Sequence, residues 1–303
     1  MKRFFAPGKL LLTGEYAVLR GAQALSVPTL LGQSLGIEEP TTNSFLHWQA
    51  FTEKGELWLE VHFNKALEII QCAQPEKAQD LQKLLRQAQA LGGRIQGPLL
   101  VQTHLQFNRN WGLGSSSSLC ALVAEWLQVP ALPLFFNALA GSGYDVATAT
   151  ARNPILYQLE SAKKGVFEPV SLPPILQKSA FLYLGQKQNS TQEVGKFKSR
   201  KAHTKDTAAI SALSRRLLQC TSKAELINLL KQHEEITARI VGKVPVQGTR
   251  FADFEGVVKS LGAWGGDFVW IVESKPQPHY FEDLGYDEPI SFNKMIAGSY
   301  FSN

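Results

Sequence analysis

The stretch NWGLGSSSSLCALVAEWLQV, residues 110–129, contains residue types that could bind phosphate. Two glycines flank one leucine, and four consecutive serines follow. Apolar residues then recur with the i, i+3, i+4 spacing of an amphipathic helix, at Leu119, Leu122, Val123, Trp126 and Leu127. We predict a helix that begins in the serines and ends before Pro130, because the residue that precedes a proline is disfavoured in helical geometry.

A glycine turn that leads into a serine-rich helix start can hold an anion. The first turn of a helix has N–H groups without an intrahelical partner and carries the positive end of the helix dipole. Glycine lets the backbone approach a ligand closely, and a serine hydroxyl can add a hydrogen bond or a metal ligand. The pattern therefore indicates a phosphate site. The alternative is a helix that the serines only cap.

Other glycine-containing segments also carry polar side chains. Lys9 follows Pro7-Gly8, Asp145 follows the glycines at 141 and 143, and Asp267 ends a loop that begins at Gly262. The GLGSSS run matches only part of the dinucleotide fingerprint GxGxxG, and neither GxxxxGK[ST] nor GxSxG occurs. The six histidines show no HExxH and no metal-ligand spacing, so we expect them to be structural; they are at positions 47, 62, 104, 203, 233 and 279.

The composition is that of a folded, mildly basic protein. The 303 residues are 44% hydrophobic and 19% charged, and the net charge of +5 suits an anionic small molecule as well as nucleic acid. Three widely spaced cysteines without a CxxC motif argue against a disulfide framework or a zinc site and fit a cytoplasmic location. No apolar run reaches the ~18 residues of a membrane span, and the basic N-terminus lacks the apolar core of a signal peptide.

The elements that must position these loops alternate irregularly between strand and helix, which favours an α+β class. Two β-hairpins are predicted, one from residues 45–51 and 57–63 and one from residues 153–170 around Lys164-Gly165. Helices are predicted at 76–91, 206–220 and 222–241. Pro173-Pro174 marks a boundary, so we predict an N-terminal domain of residues 1–172 and a C-terminal domain of residues 173–303.

The order and wording of the loops resemble the GHMP kinases, the superfamily of galactokinase, homoserine kinase and mevalonate kinase. PGKLLLTGEYAVLRG (7–21) resembles their first motif, GLGSSSS (112–118) their phosphate loop, and residues 262–267 their third, glycine-rich loop. Within the family, the mevalonate-pathway branch is most similar, because GEYA (14–17) and GSGYDV (141–146) look like phosphomevalonate kinase segments. A compact, GYD-containing group of bacterial GHMP kinases is similar too.

The resemblance implies a fold and an activity. The fold would be an N-terminal α+β domain with a left-handed βαβ unit and a C-terminal ferredoxin-like domain, with the active site in the cleft between them. The activity would be transfer of the ATP γ-phosphoryl group to phosphomevalonate or mevalonate. The alternatives are a kinase for another small alcohol such as homoserine, or a nucleotide-binding or regulatory protein that has lost turnover. We expect a monomer or homodimer that binds ATP, Mg²⁺ and a small anionic substrate, but neither nucleic acid nor membrane.

The resemblance also implies roles for particular residues. Asp145 would orient the acceptor oxygen or take its proton, and Lys9 would pair with Asp145 and stabilise charge on the transferring phosphoryl group. Ser116 would be the Mg²⁺ ligand. The ATP phosphates would lie against Gly112, Leu113, Gly114, Ser115, Ser116, Ser117 and Ser118. The acceptor would be bound by Glu15, Tyr16, Ser142, Ser190, Thr191, Gly265 and Gly266.

Less specific roles stay open for several of these residues. Glu15 could equally be the partner of a structural ion pair, and Ser190 with Thr191 could belong to a solvated loop. Two positions depart from the family pattern. Many relatives supply a magnesium-binding glutamate before the catalytic aspartate, but no acidic residue lies between Glu125 and Asp145. Magnesium would then be held by Ser116, phosphates and water. The second departure is Trp264, which replaces a glycine of the third loop.

Overall fold

The computed structural model describes residues 2–39, 43–185, 204–262, 264 and 267–301. They form two compact units that alternate along the chain. The first unit comprises Met1–Gly8, Leu31–Arg109 and Leu113–Arg152, and the second comprises Lys9–Leu30, Asn110–Gly112 and Asn153–Asn303. The boundary expected after residue 172 stays a prediction.

A mixed sheet organises the first unit. The strands involved are β1 (Lys2–Leu11), β2 (Ala24–Glu38), β3 (Leu46–Phe51), β4 (Leu57–Phe63), β5 (Ile69–Cys72) and β6 (Leu99–Leu105). Their order is β5-β4-β3-β6-β2, and β1 pairs with β2. Strands β3 and β4 form the first predicted hairpin, which is thereby confirmed, and β3 runs parallel to β6.

Helices cover one face of this sheet. They are α1 (Pro75–Ala90), α2 (Ser115–Leu127), α3 (Ala131–Ala138) and α4 (Tyr144–Ala151). Side chains two apart on a strand share a face, and the face that bears Leu46, Trp48 and Ala50 belongs to the same buried cluster as Leu85 of α1 and Leu122 of α2. The predicted serine helix is confirmed. It ends at Leu127, and the next residue, Gln128, two positions before Pro130, is in the left-handed conformation.

A second, antiparallel sheet lies in the second unit. Its strands are β9 (Ala180–Tyr183), β10 (Gly256–Ser260), β11 (Phe268–Glu273) and β12 (Ile290–Ser291), in the order β10-β11-β9-β12. Helices α5 (Thr204–Leu217), α6 (Lys223–Val241) and α7 (Val246–Arg250) separate β9 from β10, and α8 (Tyr280–Asp283) separates β11 from β12. A short helix, α9 (Phe292–Met295), follows β12. This strand order within a βαββαβ sequence is the ferredoxin-like arrangement that was expected.

The remaining elements of the second unit also follow their local sequence signals. Strands β7 (Ile155–Ser161) and β8 (Lys164–Pro169) form the second predicted hairpin. Its turn consists of residues 162–163, directly before Lys164-Gly165. Residues 24–26 of β2 pair with β7. Helix α6 begins at the predicted cap, where the Ser222 hydroxyl accepts a hydrogen bond from the Glu225 N–H at 3.2 Å. Within the described ranges, no helix is both long enough and apolar enough to cross a lipid bilayer.

Candidate functional site

Helix α2 of the first unit begins with amides that its own backbone does not use. Gly114 precedes the helix with a φ of 86°, a left-handed conformation that glycine adopts without steric cost. The first intrahelical bond runs from the Ser118 N–H to the Gly114 carbonyl at 2.9 Å. The N–H groups of residues 115–117 therefore have no intrahelical acceptor. They lie at the positive end of the helix dipole, where an anion is stabilised.

The four serines divide into two pairs. Ser115 is half-buried and Ser116 is exposed, so both can meet a ligand. Ser117 and Ser118 are buried, and their hydroxyls donate within the protein: Ser117 to the Gly114 carbonyl at 2.8 Å, and Ser118 to Gln33 Oε1 at 2.8 Å. A hydroxyl has one proton to donate. The side chains of Ser117 and Ser118 therefore brace the helix start, and a phosphate would be met by the side chains of the first pair.

The structure brings Asp145 to the same helix. Helix α4 begins after Gly143, which has a φ of 85°, and Asp145 is half-buried in its first turn. Burial and, secondarily, the charge of Asp145 raise the pKa of the Cys120 thiol in α2 to about 12. Cys120 is four residues after Ser116, so the two residues lie on one face of α2. Helix α4, which carries Asp145, packs against α2.

Parts of all three predicted motifs meet in the second unit. The ammonium of Lys9 donates to the Gly112 carbonyl at 3.0 Å. Gly112 has a φ of 68°, and a Cβ at this position would lie 2.6 Å from Oδ2 of Asp267. Only a glycine allows Asp267 to approach this closely. The lysine of the first motif, the first glycine of the phosphate loop and the aspartate of the third loop are thus in contact.

Glu15 is the centre of a buried polar cluster rather than an open pocket residue. Its side chain is fully buried, and Oε1 lies 2.5 Å from the Nζ of Lys259 while Oε2 lies 3.5 Å from Nε2 of His233. The Gly14 N–H donates to the same His233 nitrogen at 2.9 Å. Because Nε2 accepts this hydrogen bond, it carries no proton. Burial, with Lys259 nearby, lowers the pKa of His233 well below its usual value. This environment favours the structural ion-pair role for Glu15.

Tyr16 and Trp264 pack in one hydrophobic cluster with Ile210 and Val241. Both aromatic residues are buried and both have positive φ, 58° for Tyr16 and 40° for Trp264. Non-glycine residues rarely hold such angles, and packing must stabilise them. The Trp264 ring thus belongs to the same buried cluster as Tyr16 of the first motif.

The remaining predicted site residues are Ser142 and four residues outside the described ranges. Ser142 is buried just before α4. Ser190, Thr191, Gly265 and Gly266 lie outside the described residues, so their substrate-binding roles stay predictions. Glu125, the acidic residue nearest in sequence before Asp145, forms an ion pair with Arg152 at 2.6 Å.

Sequence reasoning missed the partners that hold the motifs. Lys259 lies in β10, after Val257 and Val258, and every residue of this strand is buried. A lysine that directly follows an apolar pair was the one available signal. Tyr183 was also missed. Its hydroxyl donates to the Asn110 carbonyl at 3.2 Å, and its ring contacts Trp111 and Phe268.

No family model matches this sequence, and no curated protein matches it significantly. Solved structures do match its fold. The phosphomevalonate kinase of Streptococcus pneumoniae, in complex with phosphomevalonate and AMPPNP, has a TM-score of 0.69 at 19% identity, over 96% of this chain and 100% of that one. The mevalonate kinase of Methanococcus jannaschii has a TM-score of 0.68 at 17% identity, over 94% of each chain.

A more distant sugar kinase is similar as well. The galactokinase of Lactococcus lactis, complexed with galactose, has a TM-score of 0.65 at 12% identity, over 96% of this chain and 93% of that one. These likenesses extend over nearly the whole chain although sequence identity is low. The chain therefore has the GHMP kinase fold, as its motifs predicted.

The division of the serines predicts different costs for two alanine substitutions. Ser118→Ala removes the buried donor to Gln33 and should lower the free energy of unfolding by ~1–3 kcal/mol. Ser116→Ala, on the exposed side, should change it by less than ~0.5 kcal/mol. Urea denaturation followed by circular dichroism measures both. Equal effects of the two substitutions would contradict the assignment of Ser118 as a brace.

Glu234, buried beside Lys259, predicts a pH dependence of stability. Burial raises the pKa of this carboxyl from an ordinary 4.5 to about 7. Between these values the native state keeps a proton that the unfolded state has lost, so stability decreases as pH rises through this window, by roughly 3 kcal/mol. The lowered pKa of His233 acts in the opposite direction over this range. The contribution of Glu234 is therefore measured by urea denaturation at pH 5 and pH 8 as the difference between the wild-type protein and a Glu234 variant.

Two neighbouring substitutions isolate the effect. Glu234→Gln should remove most of the decrease, because glutamine does not titrate. Glu235→Gln, at the exposed adjacent position, should leave it intact. A decrease of the same size in the Glu234→Gln protein would show that another group is responsible.

Proposed function

We propose that the chain is a small-molecule kinase that transfers the γ-phosphoryl group of ATP to an anionic alcohol or phosphate. The observation that carries the proposal is the start of α2, where unused amides and the exposed Ser116 hydroxyl lie on a helix that also has Asp145 beside it. The GHMP kinase fold supports it, because the similar solved structures include kinases of mevalonate, phosphomevalonate and galactose.

The donors of α2 suit the triphosphate. Phosphoryl transfer depends mainly on positioning and on stabilising negative charge. The amides of Ser115 and Ser116 would bind phosphate oxygens, with the helix dipole favouring the anion. The exposed Ser116 hydroxyl is an oxygen ligand of the kind that Mg²⁺ accepts, and this ion commonly keeps several waters. Ser116, the phosphates and water would then hold magnesium, which neutralises phosphate charge when bound.

Asp145 and Lys9 would act on the acceptor and on the transferring group. Asp145, held at the first turn of α4, would orient the acceptor oxygen or take its proton. Lys9, whose ammonium is held at the Gly112 carbonyl, would stabilise charge on the phosphoryl group. The expected pairing of Lys9 with Asp145 remains part of this proposal.

The acceptor that we propose is phosphomevalonate or mevalonate. The GEYA and GSGYDV segments support this choice, and the net charge of +5 suits an anionic substrate. Another alcohol, such as homoserine, is the alternative acceptor. A nucleotide-binding protein without turnover is the second candidate function, and the buried Trp264 in the third loop is the observation that favours it.

A coupled assay of ADP release tests the proposal on the purified protein, with mevalonate, phosphomevalonate, homoserine and galactose as parallel acceptors. We expect acceptor-dependent ADP release with phosphomevalonate or mevalonate. Nucleotide binding without ADP release for any acceptor would favour the second candidate. Failure to bind nucleotide would contradict both.

Substitution of Asp145 tests its role. Asp145→Asn keeps the size of the side chain but removes the charge and the proton acceptor, so kcat should fall by roughly 10²–10⁴-fold. The dissociation constant of ATP should stay within a few-fold of the wild-type value. The matched control is Asp80→Asn, an exposed acidic position of α1, which should keep normal turnover. Normal turnover by Asp145→Asn would rule out the assigned role.

Substitution of Ser116 tests the magnesium site. Ser116→Ala should raise the Mg²⁺ concentration for half-maximal activity by roughly tenfold, which corresponds to the loss of about 1.4 kcal/mol of ligand binding. Thr150→Ala, at an exposed hydroxyl of α4, serves as control and should leave the magnesium requirement unchanged. An unaltered requirement in Ser116→Ala would remove this residue from the metal site.

A further inference from the structure

A cluster of metal-ligating side chains lies on the β3–β4 hairpin of the first unit. In the register of the hairpin, His47 is directly opposite His62, and Gln49 is opposite Glu60. Leu46, Trp48 and Ala50 alternate with these residues and belong to the helix-covered core. The cluster is therefore on the other face of the sheet, and phosphoryl transfer as proposed above does not use it.

The three side chains are close enough to share one ion. One ligand atom from each of His47, Glu60 and His62 lies within 4.8 Å of the others. Nε2 of His47 is 2.8 Å from Oε1 of Glu60. The two imidazole rings stack with centroids 4.1 Å apart and planes 14° from parallel. Two ligands at i and i+2 of one strand, and a third from the strand beside it, bring three ligand heads together on one sheet face.

Hydrogen bonds around the cluster orient its members. Ser44 Oγ lies 2.8 Å from Nδ1 of His62, which directs this nitrogen to the hydroxyl and leaves Nε2 as the ligand atom. Gln49 donates to the same Glu60 oxygen at 3.0 Å, and Gln102 donates to Gln49 at 2.9 Å. Such outer contacts fix the tautomer of a ligating histidine and the orientation of a ligating carboxylate.

His47 provides a second, independent indication. Its residue is only 5% exposed, and among the described residues its Nδ1 has no hydrogen-bond partner although the atom is buried. An imidazole buried in this way usually has both nitrogens satisfied. Rotation about the side-chain torsions would let it turn a nitrogen toward an ion shared with Glu60 and His62.

We propose that His47, Glu60 and His62 bind Zn²⁺. Two imidazoles and one carboxylate form a three-residue zinc ligand set, with water as the fourth ligand. Ligand atoms around tetrahedral zinc are about 3.4 Å apart, given bonds of ~2.0–2.1 Å. Binding would therefore bring the more widely separated ligand atoms together, whereas Nε2 of His47 and Oε1 of Glu60, now 2.8 Å apart, would separate as the ion replaces their contact. The bound ion would join two neighbouring strands. Magnesium prefers oxygen ligands, so this site is chemically distinct from that of the kinase reaction.

Calorimetric titration of the untagged, metal-stripped full chain with ZnCl₂ tests the proposal. We expect one Zn²⁺ per chain with a dissociation constant below about 10 µM, and a rise in melting temperature with Zn²⁺, because a ligand that binds the native state stabilises it. Co²⁺ in place of Zn²⁺ should give the visible absorption of four-coordinate cobalt. Absence of zinc binding by the wild-type protein would overturn the proposal.

Two substitutions test the proposed ligands, and a third serves as a control. Glu60→Gln and His62→Ala should each weaken Zn²⁺ binding by at least about tenfold. His104→Ala, at an exposed histidine of β6, should not change it. Because Glu60 is partly exposed, its variant should fold even if His62→Ala does not, and it then decides the result. Wild-type zinc affinity in the Glu60→Gln protein would contradict the assigned site.

Discussion

The buried ion pair between Glu15 and Lys259 constrains the first motif. Neither side chain is exposed to solvent. A charge without its partner would be strongly destabilising in such surroundings, so the two residues must stay together. Lys259 lies in β10, directly before the third glycine loop, and Glu15 lies directly before Tyr16. The pair therefore fixes two distant segments against each other, and His233 reinforces it by accepting from the Gly14 N–H.

The ion pair gives Glu15 of the first motif a structural partner. It holds the backbone that leads from Lys9 to Tyr16, while the lysine itself contacts Gly112. Asp267 also approaches Gly112 closely, so the residue that binds the Lys9 ammonium is itself in contact with the third loop. Groups that act on a phosphoryl group must be held within a fraction of an ångström to be effective. A rigid, largely buried support for Lys9 meets this requirement.

Two helix starts of the first unit carry the residues to which the proposed reaction assigns its chemistry. Both α2 and α4 begin after a left-handed glycine, at Gly114 and Gly143, and the two helices pack together. Neither glycine offers a side chain to cap the helix that follows it. In α4 the Val146 N–H donates instead to Oδ1 of Asp145 at 3.1 Å. The hydroxyls of Ser117 and Ser118 form hydrogen bonds within the protein. Ser115 is half-buried and Ser116 is exposed, so their side chains are accessible to a ligand.

Local patterns predicted the elements well, whereas contacts between distant residues lay beyond them. The serine helix, both hairpins and α6 were located to within a few residues, because side-chain periodicity and caps are local signals. Strand β2, whose residues 24–26 pair with β7, continues through Pro28 to Glu38, and this pairing joins segments that are far apart in the sequence. Helix α3, directly after Pro130, was not predicted.

The partners of Glu15 were missed for a different reason. Lys259 is 244 positions away, and nothing in the neighbourhood of either residue specifies the other. The local sequence likewise gives no sign of which histidines come together. His47 and His62 come together only through the register of the hairpin, so no linear spacing reveals the cluster. The helix start could be predicted from the sequence because its chemistry is contained in one continuous segment.

The most direct measurement is a crystal structure of the protein with Mg²⁺ and a non-hydrolysable ATP analogue. We predict phosphate oxygens at about 3 Å from the amide nitrogens of Ser115 and Ser116, and Mg²⁺ coordinated by the Ser116 hydroxyl. A triphosphate bound elsewhere on the chain, with these amides in contact only with water, would contradict it.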